Sequence, residues 1–324
     1  MRKMSKILFP LLFLGFLGIS LLIAFKPYFM ASEQKQTLLS PIPNFLALSA
    51  NSQVSTLSLW LPILSNFIKG DADAPQISAK SALVYDLTAN KVLYEKNPKQ
   101  KLPMASVTKI MTAVVALENK KPDDRYFVIK DALVGENSMG LSEGEALSLK
   151  ELLYGLILLS GNDAAETIAN NYKGGRTAFI KAMNDKAKAL GLSDTNFTNP
   201  TGLEGDGDQH STSYDLIVIT EYALTKFPLF REVVSTFSYT IEQTDTHKAF
   251  YLENETNLLT SYPGVKGVKT GYTPEAGFCL VTYLDYNGRQ IIGVILGSQN
   301  RREEMKELLD YSLKPEGINP PPHG

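Results

Sequence analysis

Ser106 and Lys109 stand three residues apart in Pro103-Met104-Ala105-Ser106-Val107-Thr108-Lys109. On a helix that spacing puts both side chains on one face, so the lysine amine can reach the serine hydroxyl. A hydroxyl is a weak nucleophile until a neighbouring base takes its proton. A lysine can be that base when burial or a second cation lowers its pKa from about 10.4. A second cation stands in Lys269-Thr270-Gly271, and a polar trio, Ser160-Gly161-Asn162, lies between the two. Singly, each motif has an ordinary structural reading: a first-turn serine, a turn with a glycine C-cap between helices, a strand end turning on glycine. The Ser-x-x-Lys spacing also arises by chance, as in Ser32-Glu33-Gln34-Lys35. Jointly, with 54 residues from Ser106 to Ser160 and 109 from Ser160 to Lys269, the three motifs point to acyl transfer through a serine ester with lysine in place of histidine.

The rest of the composition leaves few other chemistries. The 324 residues are 44% hydrophobic and 20% charged with a net charge of −2, which excludes collagen-like, coiled-coil and wholly disordered chains. The near-neutral charge argues against a nucleic-acid partner. A single cysteine, Cys279, excludes an intrachain disulfide and a Cys-based zinc cluster, and three histidines (His210, His247, His323) leave little for a His-rich metal site. No metal or cofactor is expected. His210 reads as a turn residue ahead of a helix, and Cys279 as a small buried hydrophobe.

The averages hide an uneven distribution. Arg2, Lys3 and Lys6 precede nineteen uncharged residues, 7–25. At 1.5 Å per residue these span about 28 Å, so residues 1–25 are expected to form a cytoplasmic n-region and a transmembrane signal anchor, with the remainder outside. Ala31-Ser32 after Phe29-Met30 is a poor cleavage context, which favours an uncleaved anchor over a cleaved signal peptide. Residues 36–68 carry no charge but are broken by polar positions, so residues 26–74 read as a tether or membrane-surface linker. Net charge is +4 over residues 1–35, −1 over 36–74 and −5 over the rest.

Hydrophobic periodicity supplies the elements that must position the motifs. Residues 81–86 and 91–95 read as a hairpin, and 105–118 as a helix that is very apolar along Ile110, Met111, Val114 and Val115. Further helices are predicted over 149–159, 163–171, 176–190 (ending at Gly191) and 214–224, the last capped by Ser211 or Thr212. Residues 264–270, 277–286 and 290–297 read as strands with a tight turn at Asn287-Gly288, and 303–313 as a closing helix. The expected fold is α+β: an antiparallel sheet built from both chain ends, flanking helices and an all-helical insert. The catalytic domain is expected over residues 75–313, with 314–324 a flexible tail.

Residues from about 74 to 313 resemble the serine D-Ala-D-Ala carboxypeptidases, low-molecular-mass penicillin-binding proteins of the DD-peptidase family related to class A β-lactamases. The resemblance is carried by the segment from Pro103 to Ala113, by Ser160-Gly161-Asn162-Asp163-Ala164-Ala165, by Asn199-Pro200-Thr201-Gly202-Leu203 and by His210-Ser211-Thr212-Ser213-Tyr214-Asp215. Asn257-Leu258-Leu259 and Gly267-Val268-Lys269-Thr270-Gly271-Tyr272-Thr273 complete it. It implies a DD-peptidase/β-lactamase-like fold and an acyl-enzyme on Ser106, with release of the terminal D-Ala from a peptidoglycan stem peptide. It further implies Lys109 as base, Ser160 as proton relay, Asn162 on a substrate amide, and Lys269 and Thr270 on the terminal carboxylate. The backbone N–H groups of Ser106 and of Tyr272, which follows Gly271, would form the oxyanion hole. Arg301 is a weaker candidate for the carboxylate, its ordinary reading being a first-turn surface arginine.

The same resemblance implies β-lactams as covalent inhibitors and a place on the extracytoplasmic side of a bacterial cell membrane, held as a single-pass protein, or secreted if the leader is cleaved. Many members carry a second β-rich domain and a C-terminal amphipathic anchor. The chain ends about eleven residues after Leu313, so anchoring is expected to fall to the N-terminal span. Three other readings remain: a β-lactamase, a DD-endopeptidase using the same residues, and a catalytically silent membrane-tethered cell-wall scaffold. A β-lactamase would need a carboxylate for its deacylating water. The nearest pattern, Glu253-Asn254-Glu255-Thr256-Asn257, lacks the leucine of E-x-x-L-N and lies sixteen residues before Lys269.

Overall fold

The two ends of the catalytic region meet in one sheet. Strands β1 (Ser81–Asp86) and β2 (Lys91–Lys96) form the first hairpin, and β7 (Val265–Thr273), β8 (Gly277–Tyr286) and β9 (Arg289–Ser298) come from the C-terminal third. All neighbours are antiparallel in the order β2-β1-β9-β8-β7, with Ser81 opposite Leu296 and Asp86 opposite Ile291. The β8–β9 connection turns on Asn287 and Gly288, both at positive φ (48° and 77°), as a two-residue hairpin of matching twist requires. This computed structural model describes residues 61–62, 73–256 and 258–323. The predicted anchor (1–25) and nearly all of the predicted linker (26–74) lie outside the described residues, as does Asn257. Among the described residues no helix is long and apolar enough to cross a membrane.

Alternation along the strands sends side chains to two cores. Leu83, Tyr85, Val281 and Val294 face the helical part of the molecule, while Ala82, Val84, Leu280 and Ile295 pack with Met305, Leu308 and Leu309. The last three belong to the final helix, Arg301–Leu313. With both faces covered, β1 is buried at every position.

The helical part is arranged around α1 (Lys109–Glu118), buried from Lys109 to Ala116. A helix apolar on nearly every side has to be central. It contacts α2 (Leu149–Leu158), α3 (Asn162–Asn170), α4 (Gly175–Ala189) and α5 (Ser213–Lys226). The Ser148 side chain and Glu151 close a capping box on α2, and the Thr212 side chain accepts the Asp215 N–H at the start of α5.

The structure departs from the sequence reading in four places. The helix predicted from residue 105 begins as a 3-10 turn, Ala105–Thr108. The strand predicted to end at Thr270 continues to Thr273, so Lys269-Thr270-Gly271 lies inside β7 and not at a strand end. Short elements went unforeseen: α6 (Pro228–Val234), α7 (Leu258–Ser261), the pair β3 (Tyr126–Phe127) and β4 (Ala146–Leu147), and the hairpin of β5 (Ser238–Ile241) with β6 (Phe250–Glu253). β5 is mostly solvent-facing and too short for periodicity to register. Finally, the predicted flexible tail docks on the domain. Glu316 pairs with Arg289, Ile318 packs on the second core, and His323 stacks on Tyr262 and contacts Asp310 at 3.0 Å.

One buried carboxylate locks the first hairpin to the last strand. Asp86 is fully buried; it accepts the Thr88 and Ala89 N–H groups at 2.8 and 2.9 Å and pairs with Arg289 at 3.0 Å. Asp86→Ala leaves two turn amides and a guanidinium without their acceptor, at a cost of about 2–3 kcal/mol. For a domain of this size the expected fall in Tm is about 4–12 °C, measurable by calorimetry.

Candidate active site

The nucleophile segment is held in a conformation its residues do not favour. Ala105, immediately before Ser106, has φ +49°, a left-handed backbone that strains any residue with a Cβ. Gly202 (φ +90°) packs beneath it, and a Cβ there would lie 2.0 Å from the Ala105 carbonyl oxygen. Gly271 of β7 faces the same turn from the other side, where a Cβ would lie 3.0 Å from the Ser106 nitrogen. Two glycines thus let a loop and a strand close on the Ser106 backbone. The Gly202 loop is itself rigid: Asn199 Oδ1 accepts the Thr201 and Gly202 N–H groups at 3.1 and 2.7 Å, and the Thr112 hydroxyl donates to the Pro200 carbonyl at 2.7 Å.

Lys109, at the start of α1, is fully buried. Its Nζ lies 2.9 Å from Ser106 Oγ, 2.7 Å from Asn162 Oδ1 and 2.7 Å from the Thr201 carbonyl oxygen. Burial pushes its pKa well below the ordinary lysine value, and the nearby charge of Lys269 lowers it further. The partners decide what the neutral amine does. Asn162 Oδ1 and the Thr201 carbonyl can only accept, so both remaining N–H bonds stay on them. The nitrogen lone pair then faces Ser106, the one partner with a proton to give.

Ser160-Gly161-Asn162 joins α2 to α3. Sequence logic assigns the left-handed position of such a turn to glycine; in the structure Ser160 takes it, at φ +57°, while Gly161 has φ −55°. Gly161 serves a different need, because a Cβ there would lie 2.9 Å from Asp163 Oδ1 and 3.1 Å from the Gly155 carbonyl. Ser160 is 2% exposed, and its hydroxyl has no hydrogen-bond partner among the described residues. Asn162 is clamped beside it: its N–H donates to the Asn137 carbonyl at 2.7 Å and its Nδ2 to the Glu136 carbonyl at 3.4 Å. The buried Asp163 carboxylate accepts the Met139, Gly140 and Leu141 N–H groups and the Ser138 hydroxyl, tying the segment 136–141 over the site.

β7 is an edge strand of the sheet, and its unpaired edge runs past Ser106. Lys269 is 1% exposed, and no ion pair to it occurs among the described residues. Burial lowers its pKa to about 8, with Glu255 opposing the shift and Arg301 adding to it. Thr270 is 5% exposed beside it, whereas Tyr272 stands at the mouth with 55% of its surface free. Arg301 is not a surface residue. Its guanidinium donates to the Gly271 carbonyl at 2.7 Å and lies over the Phe278 ring, bracing the strand that carries Lys269.

The structure therefore gathers Ser106, Lys109 and Asn162 by direct hydrogen bonds, sets Gly271 against Ser106, and brings Lys269 close enough to act on Lys109 by charge. His210 stays apart, in contact with Asp208, and Cys279 is buried in β8 opposite Gly271. Sequence reasoning assigned no role to Thr201, which acts through its carbonyl and so leaves no side-chain signal, or to Asp163 and Gly202, which act on backbone. The carboxylates whose charge reaches Lys109 are Glu255, Asp163 and Glu166. Among the described residues no carboxylate is hydrogen-bonded to Ser106 or Lys109, and Glu255 is exposed, its N–H donating to the Leu158 carbonyl.

Comparison with known proteins identifies the family. A family model described as D-alanyl-D-alanine carboxypeptidase matches residues 69–300. The chain is 37% identical over 245 residues to D-alanyl-D-alanine carboxypeptidase DacF of Bacillus subtilis (strain 168), covering 72% of this chain and 62% of DacF. It is 34% identical over 269 residues to a D-alanyl-D-alanine endopeptidase of Pseudomonas aeruginosa, covering 81% and 83% of the two chains. The crystal structure of the Streptomyces K15 DD-transpeptidase superposes with a TM-score of 0.70 at 33% identity, covering 74% of this chain and 99% of that one. Penicillin-Binding Protein D2 from Listeria monocytogenes, in a cefotaxime-bound form, gives 0.65 at 30% identity, covering 74% and 98%. The chain spans a little under two thirds of the length of DacF and of DacD of Escherichia coli (strain K12), 62% and 63%. With the three motifs converging on one buried serine and lysine, and the family model running from residue 69 to residue 300, the chain belongs to the D-alanyl-D-alanine carboxypeptidase family (peptidase S11).

Proposed function

We propose that this chain is a serine DD-carboxypeptidase that removes the terminal D-Ala from peptidoglycan stem peptides through an acyl-enzyme on Ser106. The observation that carries the reading is the Lys109 amine: buried, 2.9 Å from Ser106 Oγ, and held by two partners that can only accept. In the acylation step the Ser106 proton passes to Lys109 as Oγ bonds to the carbonyl carbon of the penultimate D-Ala. The Ser106 and Tyr272 N–H groups hold the oxyanion. The C–N bond then breaks, and the leaving amine takes a proton by way of Ser160, whose hydroxyl is otherwise uncommitted. Asn162 fixes both the lysine and a substrate amide. Lys269 and Thr270 take the terminal carboxylate, and Arg301 keeps their strand in place. Water then adds to the ester, the C–O bond breaks, and Ser106 recovers its proton.

The unpaired edge of β7 suits an extended peptide, which can add as a further strand. β-Lactams, which present a carboxylate beside a strained amide, would acylate the same serine. The basic residues ahead of the uncharged run 7–25 support a membrane-anchored protein with its catalytic domain on the extracytoplasmic side.

Three outcomes are expected. A fluorescent penicillin should label the purified protein covalently and turn over slowly, and Ser106→Ala should abolish both the label and the release of D-Ala from a peptide ending in D-Ala-D-Ala. Rapid loss of the label would favour the β-lactamase reading, and cleavage of a cross-linked dimer in preference to the linear peptide would favour the endopeptidase.

Gly202→Ala places a methyl group against the Ala105 carbonyl and 2.9 Å from the Ser106 nitrogen. Displacing that donor should lower the acylation rate about 100-fold, the scale of losing one oxyanion-hole contact. Stopped-flow measurement of penicillin acylation reads this directly; an unchanged rate would remove Gly202 from the argument.

The third concerns pH. Acylation needs Lys109 neutral, so kcat/KM rises as pH passes upward through its lowered pKa. Carboxylate capture needs Lys269 charged, so kcat/KM falls as pH rises beyond about 8. Lys269→Arg keeps its charge across the whole measured pH range, because a guanidinium is effectively always protonated. Whatever its effect on the absolute rate, the alkaline limb should vanish from its profile up to pH 10, and a limb persisting near 8 would assign that titration elsewhere.

A further inference from the structure

Two carboxylates lie buried on α3, and they are matched differently. Asp163 is met by backbone N–H groups and the Ser138 hydroxyl, whereas Glu166, 4% exposed, is met by a cation from another helix. Arg176 Nε donates to Glu166 Oε2 at 2.8 Å and Nη2 donates to Oε1 at 3.1 Å, a two-pronged grip on both oxygens. The same Nη2 reaches Asp206 Oδ2 at 3.1 Å. Arg176 lies in the first turn of α4. The dipole of its own helix opposes a cation there, so the two carboxylates, and not α4, hold the guanidinium in place.

The grip joins two of the segments that serve Lys109. Glu166 stands one turn after Asn162, at the i+4 position on the same face of α3, and Asn162 Oδ1 takes one Lys109 hydrogen. Asp206 lies in the loop that follows Thr201, whose carbonyl takes another, and Gly202, which presses on the Ser106 backbone. Charge makes a second link. The ionisable groups whose charge reaches Lys109 are Lys269 on β7, Asp163 and Glu166 on α3, and Glu255. Lys269 favours the neutral amine, and the three carboxylates oppose it. Of those three, Glu166 is the one that carries an ion pair among the described residues.

We propose that Arg176 is a positioning residue for the acylation step: it offsets the charge of Glu166 one helical turn from Asn162, and it fastens α3 to the loop that follows Thr201. A lone Glu166 anion would favour the protonated, unreactive form of Lys109. With Arg176 on it, the pair is close to neutral as seen from the amine. The proposal rests on Lys109 acting as the base for Ser106 and names what keeps that amine usable.

The test is the pH profile of the second-order rate constant for acylation by a fluorescent penicillin, measured for the native protein and three variants. Glu166→Gln removes an anion and leaves Arg176 in place. The charged form of Lys109 is then less favoured, so the acid limb should move to lower pH by about 0.5–1 unit, the scale of one partly screened charge. Arg176→Met leaves the Glu166 anion alone, and its limb should move to higher pH by a similar amount. The Glu166→Gln/Arg176→Met double variant has neither charge, and its limb should return to within about 0.2 unit of the native position. A purely structural contact would lower the plateau rate without moving the limbs of the two single variants in opposite directions. Limbs that stay in place, or that move the same way in both, would overturn the proposal and leave the acyl-enzyme reading intact. If Arg176→Met does not fold, the other two variants decide by the same criterion: a downward shift in Glu166→Gln that is absent from the double variant supports the proposal, and any other pattern overturns it. Absence of label in the native protein would overturn the reading of Ser106 and Lys109 themselves.

Discussion

A primary amine buried away from water, with three polar partners and, among the described residues, no counter-ion in contact, is the constraint around which this domain is built. Lys109 can occupy such a site only if its nitrogen is satisfied in whichever protonation state it holds. Asn162 Oδ1 and the Thr201 carbonyl meet two of its hydrogens in both states, and Ser106 either accepts the third or donates to the lone pair. Meeting that condition requires a helix buried on nearly all sides to carry the lysine. It also requires a loop delivering a carbonyl from residue 201 and an inter-helix turn delivering an amide from residue 162. Most of the helical insert consists of the packing that brings these three to one point.

Strain accompanies the arrangement and falls on residues other than glycine. Ala105 and Ser160 both have left-handed backbones, and each borders a group given a chemical role. The neighbouring glycines do not relieve that strain by adopting it; they supply room. Gly202 and Gly271 let a loop and a strand press on Ala105 and Ser106, and Gly161 lets α3 start close against the Gly155 carbonyl with the Asp163 carboxylate alongside. Surroundings this close leave the strained turns little alternative, which is how such conformations persist.

The charges are tuned as a group. Lys109 is depressed by burial and by Lys269, and Lys269 by burial and by Arg301, with Glu255 opposing both shifts from outside. Arg301 links this electrostatics to the architecture, because it hydrogen-bonds the Gly271 carbonyl from the first turn of the helix that covers the opposite face of the sheet. The edge position of β7 leaves Lys269, Thr270, Gly271 and Tyr272 in order along one unpaired strand, where the proposed peptide would lie.

Much of this was legible in the chain. The Ser106–Lys109 spacing, the order of the three motifs, the hairpin at 81–96, the Asn287-Gly288 turn and a sheet joining both ends of the domain follow from local periodicity and side-chain chemistry. Those are properties of residue type and separation, which the sequence by itself determines. It could not show that Ser160, and not Gly161, takes the left-handed backbone, that Thr201 contributes a carbonyl, that Arg301 is half-buried under β7, or that residues 314–323 dock on the domain. Each of these depends on backbone atoms or on neighbours far away in the chain, such as the 92 positions between Thr201 and Lys109 or the 225 between Glu316 and Lys91. The depressed lysine pKa values belong to the same class. A lysine's titration is set by the water it loses and the charges it meets, and only the tertiary structure decides either.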